Sequence, residues 1–509
     1  MEECAVAIVG AGPVGMVLAA ELALAGIPVA LLERRPDHML KGSRAGGLQS
    51  RTIEMFDQRG IADRMIAEGS PAQTQLFGGT VLDISDFPTR YPYGLGLWQN
   101  RVEAILAGWL AQLGVTIRYG SEVIGVEAVA GRAEAEGAAA SEAAPNADPR
   151  VTVHLADGSR LRAEYLVGCD GGQSLVRKGA GIGFEGWDAT VSNIVAEVEY
   201  TDEPAWGMVQ GERGTHGIGP VEPGRSTIRV VVTESELRQG GEPTLDEVRA
   251  AMREVWGTDF GARSATWISR FTDAARQATT YRSGRILLAG DAAHVHYPAG
   301  GQGLNIGVQD AMNLGWKLAQ VVSGVSPESL FDTYQSERHP VGAAVLQDTL
   351  AQVALRRTDA RSKAVAASVA DLLSTEAGRR RFGARLSGLG VHYRSGEAEG
   401  VDHPLLGRRM PDLDLLLADG SSVRVFTLLH EARPLLIDFD GGSVESSGPW
   451  RERVRLVWAR ASGGWELPEL GAVEPPTAVL VRPDGYVAWV GCGSSAGVVE
   501  ALTEWFGTV

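Results

Sequence analysis

Three stretches of the 509-residue chain combine residue types at spacings that can do chemistry, and each is built on glycines and an acid. The first is Gly10-Ala11-Gly12-Pro13-Val14-Gly15, which follows an apolar run at residues 5–9 and opens a helical stretch. In that order Gly10 permits a tight turn, Gly12 lets a pyrophosphate approach the backbone, and Gly15 lets the helix pack on the strand. The phosphates then sit at the positive end of the helix. Glu33 ends the following strand, where a carboxylate takes ribose hydroxyls. A glycine-rich structural turn is the plain alternative, but the strand, helix and terminal acid together favour a dinucleotide. The second stretch, residues 165–177, reads YLVGCDGGQSLVR and contains Asp170 and Arg177. The third, residues 284–305, reads GRILLAGDAAHVHYPAGGQGLN and contains Asp291, His294, His296, Pro298, Gly300, Gly301, Leu304 and Asn305. A single fingerprint of the first kind does not separate FAD from NAD, so the decision rests on the later two.

Taken together, these segments resemble the class A flavoprotein aromatic hydroxylases, the family of p-hydroxybenzoate hydroxylase and of polyketide hydroxylases, over residues 1 to about 400. The resemblance implies noncovalent FAD. Asp291 would lie on the ribityl chain, Pro298, Gly300 and Gly301 near the reactive edge of the flavin, and Leu304 and Asn305 near its pyrimidine carbonyl. The helix N-terminus there would stabilise an anionic reduced flavin. Arg44 matches the family arginine over the pyrophosphate, and Gln99 the flavin-contacting glutamine. Arg34, Pro13 and Val123 complete the expected FAD-binding set. Asp170 is expected to brace the fold, and Arg177 to lie near nicotinamide phosphates or in a surface salt bridge. The reaction implied is reduction of FAD by NADPH or NADH, addition of oxygen to give a C4a-hydroperoxide, and transfer of one oxygen to an aromatic ring. The protein then supplies binding, orientation and exclusion of water. No catalytic side chain is assigned; Arg213, His216 and Tyr297 are candidates for a substrate base by location alone.

The elements that must position these residues follow from pattern. Fully apolar runs read as buried parallel strands, with helices between them. The fold class is α/β: a Rossmann-like FAD-binding domain (1–75, 99–180 and 281–395, with a helical extension at 341–395) receives a mainly antiparallel substrate-domain sheet. That substrate domain comprises residues 76–98 and 181–280, with period-two alternation over residues 190–235. Residues 129–149, nearly all Ala, Glu, Gly and Pro, read as a solvated loop between two strands. Residues 400–509 read as a separate small α/β domain. It resembles the thioredoxin-like appendage of many phenol and polyketide hydroxylases, but lacks the C-x-x-C that redox work needs, and so is expected to be structural or associative.

Composition narrows the partners. The formal net charge is −16 with no basic run, which argues against nucleic acid or an anionic membrane. Cys4, Cys169 and Cys492 are scattered, so neither a disulfide framework nor a zinc site is read, and the cytoplasm is the expected compartment. The apolar N-terminal run is broken by glycines and reads as βαβ rather than signal peptide or membrane span. His294 and His296 lack the neighbouring ligands of a metal site. The expected substrate is a polycyclic aromatic, polyketide-type or phenolic, facing Phe77, Tyr93, Leu95, Leu97 and Trp98, and the enzyme a monomer or homodimer. Rival readings are Baeyer–Villiger oxygenation by the same fold and a non-catalytic FAD module. A halogenase would carry W-x-W-x-I-P, which is absent from the sequence.

Overall fold

The computed structural model describes residues 2–40, 42–127, 150–211, 214–221, 227–238, 240–393, 403–441 and 445–509. The Ala/Glu/Gly/Pro stretch at 129–149 and Arg213 lie outside these residues. Strand β1 (Glu2–Val9) is exposed at its start and completely buried from Val6, where both faces are covered. It pairs in parallel with β2 (Val29–Leu32) on one side and with the Arg160–Gly168 strand on the other. The latter pairs in parallel with Ile286–Leu288, and β2 with Ile117–Arg118. The three chemical stretches of the sequence thus leave the same edge of one sheet, at the carboxyl ends of β1, Arg160–Gly168 and Ile286–Leu288, where open α/β sheets bind ligands.

Helix α1 (Pro13–Leu24) is apolar around its circumference, with Met16, Val17, Leu18, Ala19, Ala20 and Leu22 all buried. A helix of that kind needs cover on every side. The sheet supplies one side and the central helix (Gln302–Val322) another; Gly315 makes room for α1, since a Cβ there would lie 2.4 Å from Cβ of Glu21. Helices Leu330–Leu355, Ala360–Ser374 and Glu376–Leu386 follow.

The inserted sheet has five antiparallel strands in the order Gly207–Gln210, Thr215–Pro220, Thr227–Thr233, Ser192–Glu199 and Ser264–Thr272. One face carries Ile194, Ala196, Val198, Ile228, Val230 and Val232, packed with Val248 and Met252 of the Leu245–Trp256 helix. Because side chains alternate along a strand, Val195, Glu197, Arg229, Val231, Ser269 and Phe271 occupy the opposite face. That face meets the nucleotide-binding domain: Arg44 donates to Ser269 Oγ (3.0 Å), and the Phe271 ring lies 5.8 Å from that of Tyr297.

The C-terminal sheet is mixed. Leu435–Asp438 and Arg455–Ser462 pair in parallel, and Leu435–Asp438, Ala478–Val481 and Val487–Gly491 in antiparallel succession. Its seam with the nucleotide-binding domain is buried and ionic. Arg59 holds both carboxylate oxygens of Glu21 on α1 (2.6 and 2.7 Å) and donates to the carbonyls of Leu429 and Pro483. Arg409 pairs with Glu54, Arg424 with Asp57, and Arg482 with Glu337. Burial alone would raise the Glu337 carboxyl, yet Arg482 and Lys317 bring it down to about 2. No helix among the described residues is long and apolar enough to cross a membrane.

Breaking a buried pair strands the surviving charge. Arg59→Met therefore lowers unfolding free energy by about 3–5 kcal/mol in denaturant titration. Adding Glu21→Leu to that variant recovers most of the loss; equal stability of the single variant and the parent would refute the role of the pair.

Candidate functional site

The glycine turn sorts its residues by what crowds them. Gly10 has φ +100°, and a Cβ there would lie 2.4 Å from the carbonyl oxygen of Cys169. At Gly15 a Cβ would lie 2.0 Å from the carbonyl oxygen of Gly10. The protein's own packing thus requires both glycines. Gly12 differs: nothing stands within 4 Å of the place its Cβ would take. Gly12 is also the N-cap of α1, where no side chain caps the helix and no acid occupies its first turn. Open space before an uncapped helix N-terminus suits a phosphate.

Glu33 is buried at the end of β2, and its Oε2 accepts from the Ala11 N–H (2.8 Å) while Oε1 accepts from the Arg35 N–H (3.0 Å). A carboxylate keeps further lone pairs for hydroxyl donors. Arg34 points to solvent. Its neighbour Arg35 turns inward, donating to Glu103 (2.8 Å) and to the Ala11 carbonyl (3.1 Å). Gln99 donates to the other oxygen of Glu103 (2.9 Å) and accepts from the Ala45 N–H (3.3 Å). Arg35 and Glu103 are the members of this cradle that sequence reasoning passed over. The Gln99/Glu103 spacing of one helical turn was the available signal.

Asp291 lies in a short 3-10 turn, Gly290–Ala292, directly after the Ile286–Leu288 strand. It is exposed, and among the described residues its carboxylate has no hydrogen-bond partner in the protein. The turn is held by Asp310 of the central helix, which accepts from the Gly290 N–H (3.1 Å), from His294 Nε2 (2.7 Å) and from Arg338 Nε (2.7 Å). Burial would raise the Asp310 carboxyl, but the Arg338 guanidinium and His294 outweigh it and hold it below the usual range. His294 is therefore a brace directed into the core. His296 bonds through Nδ1 to the Tyr297 carbonyl (2.8 Å), and its Nε2 is buried without a partner. Desolvation lowers its pKa, so the ring is neutral at neutral pH.

The 298–301 loop carries two consecutive left-handed residues, Gly300 (φ +72°) and Gly301 (φ +63°), and delivers the chain into the central helix. That helix also starts without a side-chain cap or an acid in its first turn. Pro298 is exposed and Leu304 half-buried. The side chain of Asn305 is occupied: it accepts from the Gln49 N–H (2.7 Å) and donates to the carbonyls of Gly301 (2.8 Å) and Gly47 (3.2 Å).

The remaining expected residues fall outside this centre or behind it. Asp170 accepts from the Ser174 hydroxyl (2.5 Å) and the backbone N–H groups of Leu175 and Val176, closing the start of a helix. Arg177 is buried and, among the described residues, makes no surface ion pair. It is buried over the Phe184 ring (3.7 Å) and donates to the carbonyls of Ala292 (2.8 Å) and Gly172 (3.0 Å), tying the second stretch to the third. Arg44 is exposed and reaches the inserted sheet. Val123 begins an outer strand opposite Leu155. Of the apolar residues expected to face substrate, Phe77, Leu95 and Leu97 are core, Phe77 packing edge-on to Phe382 at 4.8 Å. Tyr93 packs on the same core as Leu95 and Leu97. Trp98 does meet the inserted sheet, with Arg229 4.8 Å over its ring. His216 is turned to the helix side of that sheet, accepting from the Thr233 N–H (3.2 Å) and lying 6.2 Å from Trp256. Among the described residues no group of three or more His, Cys, Asp or Glu could hold a metal.

FAD fits the residues present: an uncapped helix end beside the open Gly12, a Glu33 with spare lone pairs, an unpartnered Asp291 carboxylate, and a second uncapped helix end after Gly301. Gly12→Ala should leave the thermal midpoint of the apoprotein within about a degree, since it adds a methyl to open space, while abolishing FAD uptake in a fluorescence titration. Gly10→Ala should instead destabilise the fold itself. The same Tm loss in both variants would contradict the assignment of the open space to a phosphate.

Comparison with known proteins agrees with the geometry. The FAD binding domain family matches residues 3–349, and the aromatic-ring hydroxylase C-terminal family matches residues 403–509. A 12-dehydrotetracycline 5-monooxygenase/anhydrotetracycline 6-monooxygenase of Streptomyces rimosus is 39% identical, over 99% of this chain and 98% of that protein. A rifampicin monooxygenase of Streptomyces venezuelae is likewise 39% identical, over 99% and 98%. The solved structure of the OxyS anhydrotetracycline hydroxylase from Streptomyces rimosus superposes with a TM-score of 0.88 at 38% identity, covering 99% of both chains. Over its whole length, then, this chain belongs to the FAD-dependent aromatic hydroxylase family, a family of flavin monooxygenases with a thioredoxin-like C-terminal domain.

Proposed function

We propose that this monooxygenase hydroxylates a flat, polycyclic aromatic of polyketide or phenolic type. The observation that carries the reading is the surface opposite the 298–301 loop. Across the inserted sheet, Met208, Gly217, Val231, Val195 and Ser269 stand in register as one row of small or apolar residues. The next row on one side contains Arg229, Glu197 and Trp267, and on the other Thr233, Asn193 and Phe271. An apolar strip with aromatic rings at both borders suits a fused-ring ligand, with the polar groups fixing its direction. The relatives named for tetracycline and rifampicin chemistry support the same class.

Bound FAD supplies the transfer of electrons from NAD(P)H and the activation of oxygen. The chain's own residues cradle it: Gly12 and the start of α1 at the pyrophosphate, Glu33 at the ribose, Asp291 at the ribityl chain, and the 298–301 loop with the central helix at the ring. The positive end of that helix favours negative charge on the reduced ring. The sheet holds the substrate ring and excludes water, which limits peroxide loss. Burial raises the Tyr297 phenol, so at neutral pH it contacts substrate as a hydrogen-bond donor and an aromatic wall, with no role as a base. The enzyme works as a soluble cytoplasmic protein, monomeric or homodimeric, with NADPH as the expected reductant and NADH as the alternative.

The test is nicotinamide oxidation by the FAD-loaded protein in air, with and without a panel of polycyclic phenols, alongside product mass. Substrate-stimulated oxidation with one oxygen added to a ring is the expected outcome. A lactone or ester product would move the assignment to Baeyer–Villiger oxygenation, and failure to consume either nicotinamide would overturn turnover itself.

A further inference from the structure

The 298–301 loop is held from outside by a chain of amides that the reaction as described does not use. Gln49, at the N-terminus of the Ser50–Asp57 helix, donates through Nε2 to the Gly300 carbonyl (2.9 Å). Its Oε1 accepts from Gln75 Nε2 (2.7 Å), on the Thr74–Phe77 strand. Both glutamines are nearly inaccessible, at 8% and 7% exposure. The Gln49 backbone N–H is meanwhile taken by Asn305, which also grips the Gly301 carbonyl. An amide side chain can usually be turned end for end, but this one cannot. A backbone carbonyl only accepts, so Gln49 must present its NH2 to Gly300. That leaves its oxygen toward Gln75, which must then donate. The relay Gln75 to Gln49 to Gly300 therefore has one sense, dictated by its last member.

We infer that Gln49 and Gln75 are positioning residues that fix the Gly300 and Gly301 peptides against the reactive edge of the flavin, and so set the flavin's reduction potential and its coupling to substrate. This rests on the reading that the 298–301 loop borders the flavin ring. Gly300 and Gly301 both sit at positive φ, where glycine has the widest choice of conformations. A loop of that kind keeps one shape only if something outside it holds the carbonyls. Here Gln49 and Asn305 do so, each on a different peptide.

The experiment uses the FAD-loaded full chain and the variant Gln75→Glu. An ionised carboxylate cannot donate to Gln49, so Gln49 is driven to turn and release Gly300; once protonated, the introduced carboxyl donates again. The expected result is a pH-dependent defect absent from the parent. At high pH the flavin midpoint potential shifts, FAD binds about tenfold more weakly, as loss of one buried hydrogen bond implies, and more of the consumed nicotinamide ends as hydrogen peroxide. At low pH all three return toward parental values. Gln49→Met should show the same defects at every pH, and it decides the matter if Gln75→Glu does not fold. A parent that binds FAD, with both variants matching its potential, affinity and coupling, overturns the relay. A parent that binds no FAD overturns instead the flavin reading on which the relay depends.

Discussion

Asp310 is an acid on the central helix with no access to solvent, and it is charged because Arg338 and His294 are directed at it from two other elements. Isolated, a carboxylate in that position would not stay ionised. Its three partners fix three things at once: the Gly290 N–H sets where the turn bearing Asp291 begins, His294 sets the course of the chain beyond it, and Arg338 locks the Leu330–Leu355 helix behind the site. Arg338 continues to the Ile306 carbonyl and the Tyr393 hydroxyl, so the brace extends to the approach of the C-terminal domain. The Asp291 carboxylate and the start of the central helix keep their relative placement because Asp310 ties the Gly290 turn to that helix.

The two uncapped helix starts are the electrostatic features on which the proposed placement of the cofactor rests. Charges in the nucleotide-binding domain are paired at short range at Arg35 with Glu103 and at Arg59 with Glu21. At the beginning of α1 and of the central helix no side chain caps the backbone, and the first turn itself carries no acidic residue. FAD carries its charge in two places, at the pyrophosphate and, when reduced, on the ring. On the reading proposed above, the fold offers one helix end for each, with the Asp291 carboxylate for the ribityl hydroxyls.

Most of this frame was legible in the sequence because it is enforced by local rules. A glycine required by a backbone contact of 2 Å, such as Gly15, leaves a pattern that no other residue can imitate. The strands of the parallel sheet announce themselves as unbroken apolar runs, and the inserted sheet as alternation. What was not legible depends on which way a side chain turns. Arg34 and Arg35 are equivalent in sequence, and only the bend after β2 puts the second in the cradle. Phe77 reads equally well as pocket or core until the Glu376–Leu386 helix brings Phe382 against it. Arg177 carries the same charge whether it binds a phosphate or two carbonyls under an aromatic ring. Asp310 and Arg338 look like ordinary helix charges, since the partners that make them structural are remote in sequence.

The ionic seam under the C-terminal domain bears on how such proteins can be rearranged during evolution. The C-terminal unit carries no C-x-x-C, and its place at the end of the chain suggests an appendage that could be exchanged at will. Its charges, however, are half of a lock whose other half lies on the Ser50–Asp57 helix and on the Leu330–Leu355 helix. A recombinant inheriting a foreign C-terminal unit would have to inherit matching acids at Glu54, Asp57 and Glu337 as well, all of them well inside the nucleotide-binding portion. The unit of inheritance is consequently the whole chain, and diversification is left to the surfaces that the lock does not reach, above all the substrate-facing rows of the inserted sheet.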